Sequence, residues 1–248
     1  YTLKQKVLGS HNFDEEYIER LCRVKTLRSV KNEGGIDNKY VVLRIDIENY
    51  KREYVNDVDE EGNVIGQHLK SIDFMSTKDK MLDSLNYLLN NGVKAVLLLL
   101  DFGPKNGVIN PEYSTKELKD YIETAIDHPT FYAKDIEELL DYNQKIEDEE
   151  LKDNCCIIME NLNFFPEECG FEQYQEEFVN PNGKEENLCL YHKNQFITQL
   201  TSKTTIFIND SIFSFDKYYP TIIDVKVPLR VIGSKIEEQL KKITDFFS

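Results

Sequence analysis

Six apolar residues in a row, Ala95–Leu100 (AVLLLL), constrain this chain more than any other stretch. The run has no polar alternation, so it is not a strand with one wet face, and it is far too short to span a membrane. A strand buried on both faces of a parallel sheet has this pattern. Asn91-Gly92 closes a helix ahead of the run, and Gly103-Pro104 stops it. Helix, glycine, buried strand and glycine-bearing loop make one unit of an α/β sheet, where ligands lie beyond the carboxyl ends of the strands. Asp101, Phe102 and Gly103 therefore stand where chemistry is expected.

The same unit recurs along the chain. Strands are expected at Tyr40–Ile47, Phe131–Ala133, Asn154–Met159, Thr204–Ile208 and Leu229–Ile232. A hairpin is expected from Tyr50–Val55 and Val64–Leu69 around an acidic tip at Asp57–Glu61. Leu82, Leu85, Leu88 and Leu89 recur at helical spacing behind a capping box at Ser76–Asp79. A second capping box, Ser114–Glu117, precedes Leu118, Tyr121, Ile122 and Ala125. Asp135 is placed to cap a third helix, and further helices run through Cys189–Leu200 and Ile236–Phe247. Asp14–Arg23 reads as a short helix and Phe171–Glu186 as an acidic loop. This alternation predicts an α/β fold, a doubly wound parallel sheet with helices on both faces, of Rossmann-like type.

Length and composition bound the rest. The 248 residues suffice for one large α/β domain or two small ones, and 40% hydrophobic content allows a proper core. Tyr1–Ser10 lacks the apolar segment of a signal peptide, and the chain starts at Tyr, as a piece of a longer protein would. A net charge of −15 argues against nucleic acid and against electrostatic capture of anionic metabolites, and no apolar run approaches the length for membrane insertion. The five cysteines form an odd set without CxxC, a reduced, cytoplasmic pattern. The four histidines are scattered, so no metal is expected. Asp46, Asp101, Glu160 and Asp210 fall at strand ends, where carboxylates commonly cap the helices that follow. No GxGxxG, GxSxG, HExxH or Walker loop is present. Gly233-Ser234-Lys235 before a helix is the one phosphate-type turn, with Lys235 the candidate cofactor contact.

The order of segments resembles phosphoglycerate kinase, chiefly its N-terminal, phosphoglycerate-binding domain. The family's R-x-D-x-N stands here as Arg44-Ile45-Asp46-Ile47-Glu48, and N-G-A-K as Asn91-Gly92-Val93-Lys94. S-H-L-G-R-P is matched by Leu100-Asp101-Phe102-Gly103-Pro104-Lys105, and E-N-L-R-F by Glu160-Asn161-Leu162-Asn163-Phe164. V-N-D-A-F-G is matched by Ile208-Asn209-Asp210-Ser211-Ile212-Phe213, and the nucleotide domain's G-G-x-K-V by Gly233-Ser234-Lys235-Ile236. The resemblance implies an N-terminal helical extension over 1–38, the phosphoglycerate-binding type of domain over 39–222, and the start of a nucleotide domain over 223–248.

It also implies where the substrate would sit. The family-equivalent positions are Asp46, Glu48, Thr77 (or Lys78 in a neighbouring alignment), Asp101, Asn163 and Lys217. The family has arginines at four positions that here read Thr77, Pro104, Asn163 and Lys217, and its histidine has become Asp101. Phosphoryl transfer depends on positioning and charge stabilisation, and each charge-assisted contact contributes about 1.5–3 kcal/mol. A lysine does not reproduce a guanidinium fork. The expectation is therefore a catalytically inactive member that uses no cofactor, where the family would use MgATP. It would serve as a structural or interaction component with protein partners, in a cytoskeletal or other large intracellular assembly. The alternative is a phosphoglycerate kinase whose nucleotide domain continues outside this chain. A third reading is a sensor for a cation in a cleft of Asp46, Glu48, Asp101 and Asp216.

Overall fold

The computed structural model describes residues 25–32, 35–47, 50–74, 82–101, 103–104, 107–169, 177–179, 185–211 and 219–247. The expected helix at Asp14–Arg23 and the capping box at Ser76–Asp79 lie outside them.

Ala95–Leu100 forms most of β4 (Ala95–Asp101), every residue of which is buried. Its side chains divide by parity. Val96, Leu98 and Leu100 enter one apolar cluster; Ala95, Leu97 and Leu99 enter another on the opposite face. The neighbours β1 (Tyr40–Asp46) and β6 (Cys155–Met159) pair with it in parallel. With β5 (Thr130–Ala133), β9 (Ile206–Asn209) and β10 (Leu229–Ile232) they make a six-stranded sheet, ordered β10-β9-β1-β4-β6-β5. Its strand pairs are all parallel, so both faces must be covered by the connecting helices.

Helices α1 (Leu27–Asn32), α2 (Asp83–Leu89) and α3 (Leu118–Ile126) place buried side chains in the first cluster, and α4 (Ile136–Glu147) does so in the second. Asp135 caps α4 as expected, its side chain accepting from Glu138 N. Short α5 (Pro166–Cys169), α6 (Leu188–Leu200), α7 (Pro220–Ile223) and α8 (Ser234–Phe247) complete the helices described. Burial pushes the Cys155 thiol up to about 12 and Cys156 well above the usual thiol range, so this pair is inert packing rather than reactive chemistry.

Three expectations need correction. The hairpin is longer than its sequence pattern suggested: β2 (Tyr50–Val58) and β3 (Val64–Phe74) form a separate two-stranded sheet. The acidic stretch read as loop carries a second small sheet, β7 (Glu177–Val179) with β8 (Glu185–Asn187). The Ser114–Glu117 box does not cap α3. That helix starts after Glu117 with no side-chain cap; Ser114 Oγ accepts from Lys116 N, ahead of the helix, and donates to Glu160, while Thr115 Oγ1 donates to Met159 O. Residues 223–248, where a second unit was expected to begin, contribute β10 and α8, and β10 pairs with β9 in this same sheet. Within the expected extension over 1–38, α1 buries Leu27 and Val30 in the core, and Thr26 bridges to Ile232.

Candidate functional site

The carboxyl ends of β1, β4 and β9 converge, as a parallel sheet requires. Asp46 and Asp101 are register partners at the ends of β1 and β4, and both are buried. Arg44 lies two residues before Asp46, on the same face of β1. Its side chain is fully buried, which demands compensating charge.

That charge comes from two carboxylates. Arg44 Nη2 donates to Asp101 Oδ2 at 2.7 Å, and Nη1 to Glu168 Oε1 at 2.6 Å. Nη1 also donates to Thr221 Oγ1. Glu168 closes the circle, accepting from Thr221 Oγ1 at 2.7 Å and Thr221 N at 2.9 Å, so it also caps α7. The Tyr219 ring centroid lies 5.3 Å from the guanidinium carbon, within cation–π reach. One strand end, one helical turn after a neighbouring strand and the first turn of α7 are thus tied through a single guanidinium. Its charge is spent inside the protein.

Asn163 is likewise turned inward. It is buried in a 3-10 turn, Leu162–Phe164, and its Nδ2 donates to Gly103 O at 3.0 Å. Its own carbonyl accepts from Gly107 N. Gly103 has φ of 76°, and a Cβ there would meet the Tyr113 ring at 2.5 Å, so Gly103 lies directly against that tyrosine. Asn161 Nδ2 donates to Tyr113 O and fixes it in place. Pro104, at another of the family's arginine positions, is exposed.

The third strand end serves α8. Asp210 Oδ1 accepts from Lys235 N at 2.8 Å and Ile236 N at 3.2 Å, and Ser84 Oγ donates to Oδ2 at 2.8 Å. Ser234 N in turn donates to Ser84 Oγ. Gly233 permits this contact, since a Cβ on it would stand 2.2 Å from the Asp210 carboxyl carbon. The backbone N–H groups a phosphate would use at this turn are therefore already occupied by a carboxylate. Burial raises the Asp210 carboxyl above the ordinary range, against hydrogen bonds and the Lys235 charge that lower it. Lys235 is itself buried, and its Nζ has no hydrogen-bond partner among the described residues.

Of the expected substrate positions, Asp46, Asp101 and Asn163 gather at this end of the sheet. Glu48, Thr77 and Lys217 lie outside the described residues, as do Lys78 and Asp216. The fourth strand-end acid, Glu160, serves the backbone: it accepts from Thr115 N, Asn161 N, Ser114 Oγ and Tyr132 Oη. Among the described residues, no three His, Cys, Asp or Glu side chains are placed to hold a metal ion. A groove of about 410 Å³ opens at the opposite, amino ends of the strands, where Lys94 and Tyr40 both donate to Glu147. Sequence reasoning missed Glu168 and Thr221 as partners of Arg44. The signal was the pair of acids after Phe165, but nothing in the linear order says that they reach β1.

Comparison with known proteins follows from this geometry. The family model of phosphoglycerate kinase matches residues 35–248. The chain is 26% identical over 162 residues to phosphoglycerate kinase of Yarrowia lipolytica, covering 64% of this chain and 36% of that protein. It is 24% identical over 165 residues to the Dictyostelium discoideum enzyme, covering 66% and 37%. The chain thus spans little more than a third of the length of these relatives. Among solved structures, phosphoglycerate kinase from Coxiella burnetii superposes with a TM-score of 0.51 at 12% identity, covering 89% of this chain and 44% of that one. The Pyrococcus horikoshii enzyme gives 0.51 at 20% identity, covering 84% and 43%.

Proposed function

The chain belongs to the phosphoglycerate kinase family, and from that membership we propose that it is a member without the family's catalysis, kept as a structural or interaction component of a larger intracellular assembly. One observation carries this reading: the acid at position 101 consumes the guanidinium of Arg44. Arg44 is fully buried and donates to Asp101, Glu168 and Thr221, so its charge is met inside the protein rather than presented to a substrate phosphate or carboxylate. The buried carboxylates at this end of the sheet, Asp46, Asp101 and Glu168, surround one buried arginine, which leaves no net positive charge among them for the family's anionic substrate. Asn163 adds to this, with its amide engaged by the loop it would have to leave. The α8 turn does not fit a nucleotide phosphate, since Asp210 fills it.

Substrate binding tests this without any nucleotide site. Titration of the chain with 3-phosphoglycerate in a calorimeter is expected to give no heat above dilution. The double variant Asp101→His/Asn163→Arg is expected to restore part of the anion affinity. Millimolar or tighter binding by the unaltered chain would overturn the proposal, and turnover in a coupled assay would return it to the working kinase.

A further inference from the structure

The β2–β3 ribbon lies outside the machinery described above. Among the described residues no third strand pairs with either of its strands. A lone two-stranded ribbon is marginal in water, and a third strand or a packed face normally completes it. At the turn end of this ribbon, the apolar side chains described reach solvent. Val58 and Val64 oppose each other across the strands at 58% and 59% exposure, and Ile65 beside them is 69% exposed. Val55, earlier on β2, is 37% exposed. Apolar residues gathered in this way mark a contact surface, where scattered ones do not.

The two edges differ. Both register shifts put their extra residue on β3, at Ile65 and at Lys70, whereas β2 runs unbroken from Tyr50 to Val58. Bulges interrupt an edge and resist strand addition, so β2 offers the regular one. The charge at this end is negative: Glu60 and Glu61 are exposed at the turn, with Asp57 and Asp59 alongside. Nucleic acid or an anionic lipid surface would bring more negative charge, and a second copy of a chain at −15 would set acids against acids.

We propose that the outer edge of β2 takes up, as a third strand, an extended segment of another protein in which apolar residues alternate with lysine or arginine. Main-chain hydrogen bonds to β2 would supply affinity, apolar contact with the face that carries Val58 and Val64 would fix the register, and the acids at the turn would select the basic partner. The inference is independent of whether the domain turns over a substrate.

The probes are synthetic peptides of about eight residues, near the usual strand length, alternating Lys/Val, Glu/Val or Lys/Ser. Fluorescence anisotropy on the full chain is expected to favour Lys/Val by about tenfold or more, a difference of roughly 1.4 kcal/mol. Amide hydrogen exchange is expected to slow along β2 and not along β3. The variant Val58→Ser/Val64→Ser/Ile65→Ser should lose that preference with its thermal midpoint unchanged. Glu60→Lys/Glu61→Lys, which leaves the apolar residues alone, should shift the preference toward Glu/Val. Equal binding of the three peptides, or protection on β3, would overturn the proposal. So would self-association in sedimentation equilibrium that the triple variant abolishes, since the occupant would then be a second copy.

Discussion

At the residue scale, the Asp101 carboxylate lies 2.7 Å from the buried Arg44 guanidinium and compensates a charge that water no longer reaches. Removing one partner of a buried pair leaves the other charge uncompensated. Asp101→Ala is therefore expected to lower the urea unfolding free energy by about 3 kcal/mol, near the low end for such breaks, because Glu168 and Thr221 still hold Nη1. Asp101→Asn keeps an acceptor and should cost less. Asp210 yields a pH prediction. Burial raises its folded carboxyl above the unfolded value of about 3.9, so the folded state holds that proton more tightly. Its contribution is then largest below the unfolded value and is lost as pH rises through the folded one. Asp210→Asn keeps an oxygen for Lys235 N and Ile236 N and removes the titration. The difference in stability between the parent chain and this variant should shrink steadily as pH is raised across that window, read from urea melts; a difference that grows would contradict the sign.

At the scale of elements, the informative case is β10 with α8. Their sequence motif resembles the opening of a separate nucleotide domain, yet β10 pairs with β9 and α8 starts on a cap supplied by the end of β9. Gly233 is the residue on which this depends. Gly233→Ala would drive a methyl into the Asp210 carboxylate and pull the cap from α8. Overpacking of this kind costs typically 1–3 kcal/mol, so a loss of about 2 kcal/mol is expected by thermal or urea denaturation. The Ser114–Glu117 box shows the converse. Its residues suit a helix cap, but Glu160 at the end of β6 offers Ser114 and Thr115 a buried partner, and burying that carboxylate unpaired would cost more than an uncapped helix. A tertiary partner outweighed a local signal.

For the whole molecule, two opposing electrostatic effects can be ranked. Surface pairs such as Lys145 with Asp141 and Lys119 with Glu123 contribute little each and weaken in salt. A net charge of −15 repels itself, and salt relieves that. With so large an excess the second effect dominates. Raising ionic strength from about 0.01 M to about 0.15 M, which shortens the screening length from roughly 30 to 8 Å, should raise the thermal midpoint by about 3 °C. A fall would mean that the local pairs dominate. No helix among the described residues is long and apolar enough to cross a membrane.

The sequence by itself determined the sheet. An apolar run without alternation can satisfy its backbone and bury both faces in one kind of place, so Ala95–Leu100 specified a central parallel strand, and the repeated helix-and-strand units specified the layers around it. That Asp101 and Asn163 stand beyond the carboxyl ends of strands was equally legible. What Asp101 and Asn163 do there was decided by the tertiary structure. Glu168 is 124 residues from Arg44 and Thr221 is 177 residues away, and no local periodicity encodes which distant acid will neutralise a buried guanidinium. That choice is made by desolvation: once the packed sheet removes water from Arg44, whichever carboxylates the fold brings within reach must hold it.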